Sequence, residues 1–434
     1  TQKEWNTHLS KIEVEGGSEE NKVKFYTALY HTLIHPSTLN DFNGDYPKMG
    51  TRETLKTDGT RYTVFSLWDT YRNLHQLMSL VYPKQQSNMI NSMLRIYEES
   101  GWLPKWELNA TETTTMVGDP AGIIIADTYL KGIKDFDIKK AYEAMLKSAD
   151  QLKNNPLRPG LADYLKYGYL TTATTNSGSV STTQEYNISD YAIAQLAKEL
   201  NKKEDFKRFS QRSKSYRKLL DKDLNLLRPR NEDGSWVTPY NPGDGANFIK
   251  NLGFIEGNAW QYTFMAPHDI PGLMKLMGGK KNFVQQLDKV FNTGQFDMAN
   301  EPDIMYPYLF NYVTGQEFKT QEKVQELLEK HYKNVPEGLP GNDDTGTMSA
   351  WAVFSMMGIY PINPATPVYA LTTPSFDKIT IHLDKEYYDN GKIVILKTGN
   401  GKISRIKIGD DSHSKFFVEH KDLVNSGTLQ FLLK

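Results

Sequence analysis

Two acidic stretches, far apart in the chain, carry residue types suited to acid–base chemistry. One is Leu339-Pro340-Gly341-Asn342-Asp343-Asp344-Thr345-Gly346-Thr347-Met348-Ser349-Ala350-Trp351. Pro340 and Gly341 forbid a helix there. Asp343, Asp344, Thr345 and Ser349 are all candidate caps for the apolar helix that should follow. The pair Asp343-Asp344 therefore belongs on a loop at a helix N-terminus, where peptide N–H groups favour negative charge. Alone it reads as a capped surface turn; the second stretch, Phe254-Ile255-Glu256-Gly257-Asn258-Ala259-Trp260-Gln261-Tyr262, changes that. Glu256 beside apolar Phe254 and Ile255 should be partly desolvated, which raises its pKa and suits a proton donor. Gly257 lets backbone or ligand approach closely. Trp260, Gln261 and Tyr262 add a stacking face, an amide and a phenol. The plainer reading of Glu256 is a helix-start carboxylate favoured by the macrodipole.

Other polar clusters are weaker one by one. Asp69 and Arg72 in Trp68-Asp69-Thr70-Tyr71-Arg72 lie three apart on one helix face, as an internal ion pair or as a clamp on sugar hydroxyls beside Trp68. Trp102-Leu103-Pro104-Lys105-Trp106 is a loop with two indoles. Asp119 is placed to cap the next helix. Asn300-Glu301-Pro302-Asp303 offers three oxygen-bearing side chains to a hard cation such as Ca²⁺, without EF-hand spacing. There is no P-loop, dinucleotide-binding glycine motif or HExxH. His268-Asp269 has no nucleophile pattern to serve and reads as structural. Acids among aromatics point to glycoside hydrolysis, which needs two carboxylates across one sugar bond.

These loops need rigid elements to position them. Helical patterning runs from Glu19 towards Pro36, over Thr63 to Val81, Gln85 to Glu99, Ala121 to Gly132, Ile138 to Leu152, Ser189 to Leu200 and Glu204 to Asp223. Ala259 to Met277 splits at its prolines. Lys281 to Phe291, Thr320 to Lys333 and Met348 to Met357 complete about a dozen helices. Alternating short and long connections suit a closed ring of helical hairpins with the long loops at one end. After about Pro364 strand signals take over, at Val368–Leu371, Lys378–Leu383, Lys392–Leu396 and Leu429–Leu432, with hairpin-type turns at Asn390-Gly391 and Asn400-Gly401. The expected organisation is a helical barrel over 1–365 and a small β module over 366–434 whose strand edges need a cover.

Composition removes other classes. A chain of 434 residues with 38% hydrophobic and 24% charged residues is long and apolar enough for a large folded core. A net charge of −1 implies neither a polyanion nor a membrane surface as partner. The absence of Cys excludes disulfides, thiolate metal sites and cysteine nucleophiles. The 25 Tyr and 7 Trp supply rings that stack on sugar faces, or simply a Tyr-rich core and surface. The start, Thr1-Gln2-Lys3-Glu4, is not a signal peptide; the chain reads as an excised piece, so this carries no information on location.

Taken together and in order, Phe65-Ser66-Leu67-Trp68-Asp69-Thr70-Tyr71-Arg72, Gly101-Trp102-Leu103-Pro104-Lys105-Trp106, Glu256-Gly257-Asn258-Ala259-Trp260-Gln261-Tyr262 with Pro267-His268-Asp269, Asn300-Glu301-Pro302, and Gly341-Asn342-Asp343-Asp344 with Met348-Ser349-Ala350-Trp351 resemble glycoside hydrolase family 92. That family comprises exo-acting, calcium-dependent, inverting α-mannosidases. The resemblance spans essentially the whole chain. It implies a mainly α fold, an (α/α)6 barrel, preceded in the family by a β-sandwich domain that this chain lacks.

Carried over, Glu256 is implied as general acid and Asp344 as general base, with Asp343 beside it. Trp68, Asp69, Arg72, Trp102, Trp260, Gln261 and Glu301 are implied as contacts to a mannose-containing glycan. Ca²⁺ is implied on the mannose 2- and 3-hydroxyls, with Asn300, Glu301 and Asp343 as candidate ligands. A secreted or periplasmic location follows from the family. Members specific for α-1,2 linkages have a His-Glu pair where this chain has Asn300-Glu301, which argues against that linkage and leaves α-1,3, α-1,4, α-1,6 and mannosyl-phosphate open. The rival readings are another (α/α)6 glycosidase acting on α-glucosides and a glycan-binding relative without catalysis.

Overall fold

In the computed structural model, which describes residues 1–175, 177–245 and 250–434, six helical segments line the centre and six surround them. In chain order, outer and inner segments alternate. They are α1 (Glu19–His31) outside, α2 (Leu74–Val81) inside, α3 (Pro83–Ser100) outside, α4 (Ala121–Leu130) inside, α5 (Ile138–Asp150) outside and α6 (Ser179–Glu199) inside. Then come α7 (Lys203–Arg212) outside, α8 (Ala259–Thr263) inside, α9 (Lys280–Asn292) outside, a 3₁₀ helix Tyr306–Tyr312 inside, α10 (Glu317–His331) outside and α11 (Thr347–Met357) inside. Every residue of α2 and α11 is buried, as an inner wall flanked on all sides requires. The outer segments bury one stripe each, as in α5, where Ala141, Tyr142, Ala144, Met145, Ser148 and Ala149 face in. The ring closes where α11 packs on α1 and α2. This is the (α/α)6 barrel. No helix among the described residues is long and apolar enough to cross a membrane.

Connections fall into two kinds. From inner to outer segment most are short: only Tyr82 separates α2 from α3, and α6 gives way to α7 across residues 200–202, the exception being 264–279, which holds the short helix Ile270–Leu276. From outer to inner they are long, as in 101–120, 151–178 and 213–258. The long outer-to-inner connections therefore gather at the end where the inner segments begin. That end presents several helix N-termini, whose free N–H groups and dipoles favour anions.

Three elements differ from the sequence expectation. Thr63 to Val81 is not one helix. A single turn, Leu67–Thr70, is separated from α2, and the amide of Gln76 donates to the Tyr71 carbonyl at 2.8 Å across the break. α6 begins ten residues before Ser189, because its first N–H groups are capped from a distant loop. Ser179 donates to Leu252 and Val180 to Gly253, at 2.9 and 2.8 Å. Glu204 to Asp223 breaks into α7, a 3₁₀ turn Ser215–Leu219 and the strand Leu220–Asp221.

The C-terminal strands form a six-stranded sheet in the order Ile12–Glu15, Lys378–His382, Lys392–Thr398, Thr428–Leu433, Ile403–Ile408, Asp411–His413. Its first edge is covered by a strand from the beginning of the chain, with Ile12 opposite Ile381. The turn at Asn400-Gly401 does not join paired neighbours. Thr428–Leu433 lies between its two strands, parallel to one and antiparallel to the other. Gly399 is required there: at φ +88, a Cβ would sit 2.4 Å from the Leu433 carbonyl oxygen.

Candidate active site

Four carboxyl groups meet at the loop-rich end of the barrel, each from a different connection. Asp69 lies on the turn before α2, Glu256 before α8, Glu301 before the Tyr306–Tyr312 helix and Asp344 before α11. Asp69 and Glu301 are only 3% and 2% exposed. Burial pushes the Glu301 carboxyl well above the usual carboxylate range, and the charges of Asp69 and Asp344 push further. Burial likewise pushes Asp69 well up, joined by the charges of Asp344 and Glu256 and opposed by Ser66 and Arg72. Glu256 is raised by burial and then by the charge of Asp344. Asp344 is raised by burial and by Asp343, while a hydrogen bond from Glu301 acts in the opposite direction. Every carboxyl of the cluster is therefore shifted towards releasing its proton at higher pH than an isolated carboxylate would.

Both candidate catalytic acids sit on left-handed backbone. Glu256 has φ +50 and Asp344 has φ +47, followed by Thr345 at +52 and Gly346 at +93. Such positions cost non-glycine residues of order 1–3 kcal/mol and persist where the surroundings impose them. At Glu256 those surroundings are explicit. The preceding Ile255 donates its N–H to Ser181 Oγ at 3.0 Å, and its carbonyl accepts from Tyr262 OH at 2.6 Å. The Asn300 amide donates to the carbonyl of Glu256 itself at 2.6 Å.

Arg72 is the buried cation facing this cluster. Its guanidinium lies 4.5 Å from the Trp68 ring and 4.6 Å from the Tyr71 ring, and its Nε donates to the Trp68 carbonyl at 3.1 Å. The Asp69–Arg72 contact expected from spacing is not the one made. Asp69 accepts from Ser66 Oγ, and Arg72 instead pairs with Glu185 on α6 at 3.0 Å. Glu185 also accepts from Tyr71 OH at 3.0 Å. Glu185 carries no motif in the sequence, and the late start expected for its helix left it in a loop. Gly118 is the one signal nearby: at φ +90, a Cβ there would lie 2.8 Å from the Glu185 Cβ.

Three residues expected at the sugar are committed elsewhere. Gln261 completes a capping box: its Oε1 accepts from the Asn258 N–H at 3.0 Å, and its own N–H donates to Asn258 Oδ1. Trp102 lies at the C-terminal end of α3 with Lys147 Nζ 4.6 Å over its ring, an outer-wall contact. Asp343 accepts from the Ser349 N–H at 2.9 Å and lies 4.0 Å from His31 Nδ1, so it caps α11 while its neighbour Asp344 turns to the acids. Trp260 stays half-buried, two residues into the capped turn that follows Glu256.

The family model of the glycosyl hydrolase family 92 catalytic domain matches residues 1–434. The chain belongs to glycosyl hydrolase family 92. A family 92 α-mannosidase of Bacteroides thetaiotaomicron, solved in complex with mannoimidazole, superposes with a TM-score of 0.92 at 31% identity, over 99% of this chain and 58% of that one. A family 92 inverting mannosidase of the same species gives 0.91 at 28% identity, over 100% of this chain and 62% of that one. A curated relative, an uncharacterized secreted glycosidase of Arthroderma benhamiae, is 27% identical over 99% of this chain and 55% of its own length. The chain thus spans little more than half the length of these relatives.

Calcium is the ion that family 92 membership brings into question. Among the described residues no three His, Asp or Glu side chains group as a ready metal cage. Glu301 nevertheless fits an oxygen-binding cation: it is buried, its Oε1 has no hydrogen-bond partner, and it lies among other carboxyls. The Asn300 side chain is already bonded at both ends. Its Nδ2 is spent on the Glu256 carbonyl, and its Oδ1 accepts from the Glu301 N–H at 3.1 Å. Asp343 is held by its cap. Of the three expected ligands, Glu301 is the one with a buried side-chain oxygen that no hydrogen bond occupies.

Proposed function

We propose that this chain is the catalytic portion of an exo-acting α-mannosidase that hydrolyses non-reducing terminal α-mannosides of glycans with inversion. One observation carries the reading: Glu256 and Asp344, on loops before different inner segments, come near enough for the charge of Asp344 to raise Glu256. Glu256, kept protonated, donates its proton to the departing glycosidic oxygen. Asp344, ionised, takes a proton from a water attacking the opposite face of the sugar. Arg72, fixed by Glu185, offsets the negative charge that remains, and half-buried Trp260 gives an apolar face for the ring, whereas Trp68, buried and covered by the Arg72 guanidinium, acts by holding Arg72. Calcium, when bound at Glu301, supplies coordination to the 2- and 3-hydroxyls and favours a flattened ring.

Support for mannose as the substrate is the pair of Bacteroides mannosidases. The relative's name as a secreted glycosidase supports a secreted or periplasmic location. We also propose that the remainder of the protein supplies a β-sandwich that covers the barrel wall near Val23, Tyr30 and Ile34, apolar side chains exposed on and just beyond α1.

The test is turnover of α-mannosides and α-glucosides, with the first product anomer read by NMR. Release of β-mannose from the α-mannoside supports the reading. Release of α-mannose, or hydrolysis of the glucoside alone, overturns it. Inversion further requires a separation of roughly 6.5–9.5 Å between the two carboxyls.

A further inference from the structure

We propose that Asn300 is a positioning residue for the general acid, an inference that rests on the assignment of Glu256 to that role. Asn300 is 8% exposed and uses both ends of its amide. Nδ2 donates to the Glu256 carbonyl at 2.6 Å, and Oδ1 accepts from the Glu301 N–H at 3.1 Å. The amide is therefore a strap between the two loops that carry Glu256 and Glu301. Its purpose follows from the backbone it holds. Glu256 is left-handed at φ +50, a conformation that a glutamate leaves readily unless it is held.

The neighbouring bonds act on Ile255, through Ser181 and Tyr262, and on Asn258, through Gln261. Among the hydrogen bonds of the described residues, the Asn300 amide is the side chain bonded to the Glu256 peptide carbonyl. It thus sets the direction in which the Glu256 side chain leaves the backbone. A proton donor misplaced by about 1 Å costs of order 10²-fold in rate. The position is spent inward, on aiming the acid, and not outward on the leaving sugar.

Asn300→Asp isolates this role, because it removes the donor to Glu256 but keeps an oxygen for the Glu301 N–H. The full protein, supplied with calcium, is assayed on a mannobiose and on 2,4-dinitrophenyl α-mannoside, beside Glu256→Gln. Leaving-group protonation matters on the disaccharide and hardly at all on the activated aryl glycoside. The expected result is a fall in kcat of about 10²-fold on the disaccharide, KM within about threefold, and a loss below about fivefold on the aryl glycoside. Asn300→Ala should show the same split.

Equal losses on both substrates, or no loss on either, while Glu256→Gln does show the split, overturn the positioning role. An equal loss accompanied by a lowered Tm likewise overturns it, since that is the mark of a merely structural residue. Absence of the split in Glu256→Gln itself overturns the acid assignment, and the two failures are thereby told apart.

Discussion

The guanidinium of Arg72 donates to Glu185 Oε1 at 3.0 Å, across 113 residues of sequence, with both side chains buried. Arg72 is also the cation that opposes the upward shifts of Asp69 and Glu301. Glu185 therefore acts on the acids through Arg72. Removing one member of a buried pair strands the other charge at a cost of roughly 3–5 kcal/mol. Glu185→Ala should lose about that much stability in urea unfolding, and Glu185→Gln, which keeps an acceptor for Tyr71 OH, distinctly less. A change below about 0.5 kcal/mol in Glu185→Ala would remove the pair from this account.

Adjacent Asp343 and Asp344 should separate in experiment. Asp343 caps α11 through the Ser349 N–H, six residues on. Asp343→Ala should cost about 1 kcal/mol of stability, with a small effect on turnover. Asp344→Asn should leave stability nearly unchanged and lower kcat by roughly 10²–10⁴-fold on every leaving group, since a base acts on water and not on the departing oxygen. The reverse pattern, with activity lost in the first and stability in the second, would exchange their roles.

The barrel was legible where local chemistry marks it. Pro83 opens α3 and Gly101, at φ +83, closes it; the side chain of Asp137 caps α5. These signals lie within one turn of the helix ends they set. What stayed hidden was non-local. The N–H groups that start α6 are satisfied by the carbonyls of Leu252 and Gly253, and no residue near Ser179 announces that. Ile12–Glu15 becomes a strand only because Lys378–His382 offers it an edge. At the site, the motifs named Glu256, Asp344 and Glu301, but not the partners that orient them. Glu185 is an ordinary helix residue until the fold closes, the bonds that Ser66 and Tyr262 make cannot be read from their motifs, and neither can the two-ended use of the Asn300 amide.

Three imidazoles outside the acid cluster bear on the behaviour in mild acid: His268, lowered to about 4 by burial, and two that are fully enclosed. His75 is 1% and His420 3% exposed. Burial lowers His75 to about 4, opposed by its hydrogen bond with Gln86. Burial, with the nearby Lys131, lowers His420 to about 3. An imidazole in the unfolded chain protonates near pH ~6.5. Below that pH the unfolded chain binds protons that these imidazoles refuse in the folded state, so their contribution to stability falls as pH drops from about 6.5 towards 4, by up to about 1.4 kcal/mol per pH unit for each group, while the raised carboxyls Asp69, Glu256, Glu301 and Asp344 act in the opposite sense. Urea unfolding across that range, wild type against variant, isolates this contribution: His75→Gln and His420→Gln should each lose less stability than the wild type as pH falls. An unchanged slope in both variants would show that these groups do not carry it.

The proposed calcium dependence turns on Glu301. A buried carboxyl whose Oε1 lacks a partner, beside Asp69 and Asp344, is destabilising alone and is relieved by a proton or by a cation. Ca²⁺ accepts irregular oxygen sets and tolerates water and sugar hydroxyls as ligands, whereas Mg²⁺ holds its waters and demands a tighter octahedron. Calcium should therefore raise the Tm of the protein and Mg²⁺ much less; a ligand at a hundred times its Kd adds about 2.7 kcal/mol. Chelation should lower kcat more than it raises KM, because contacts to the 2- and 3-hydroxyls strengthen as the ring flattens. Glu301→Ala should lose both the calcium-dependent rise in Tm and the calcium-dependent part of kcat. If exhaustive chelation leaves turnover intact, calcium plays no part in catalysis. If Glu301→Ala keeps the full calcium response, the ion is held elsewhere, and the unpartnered Oε1 must be satisfied by its own proton.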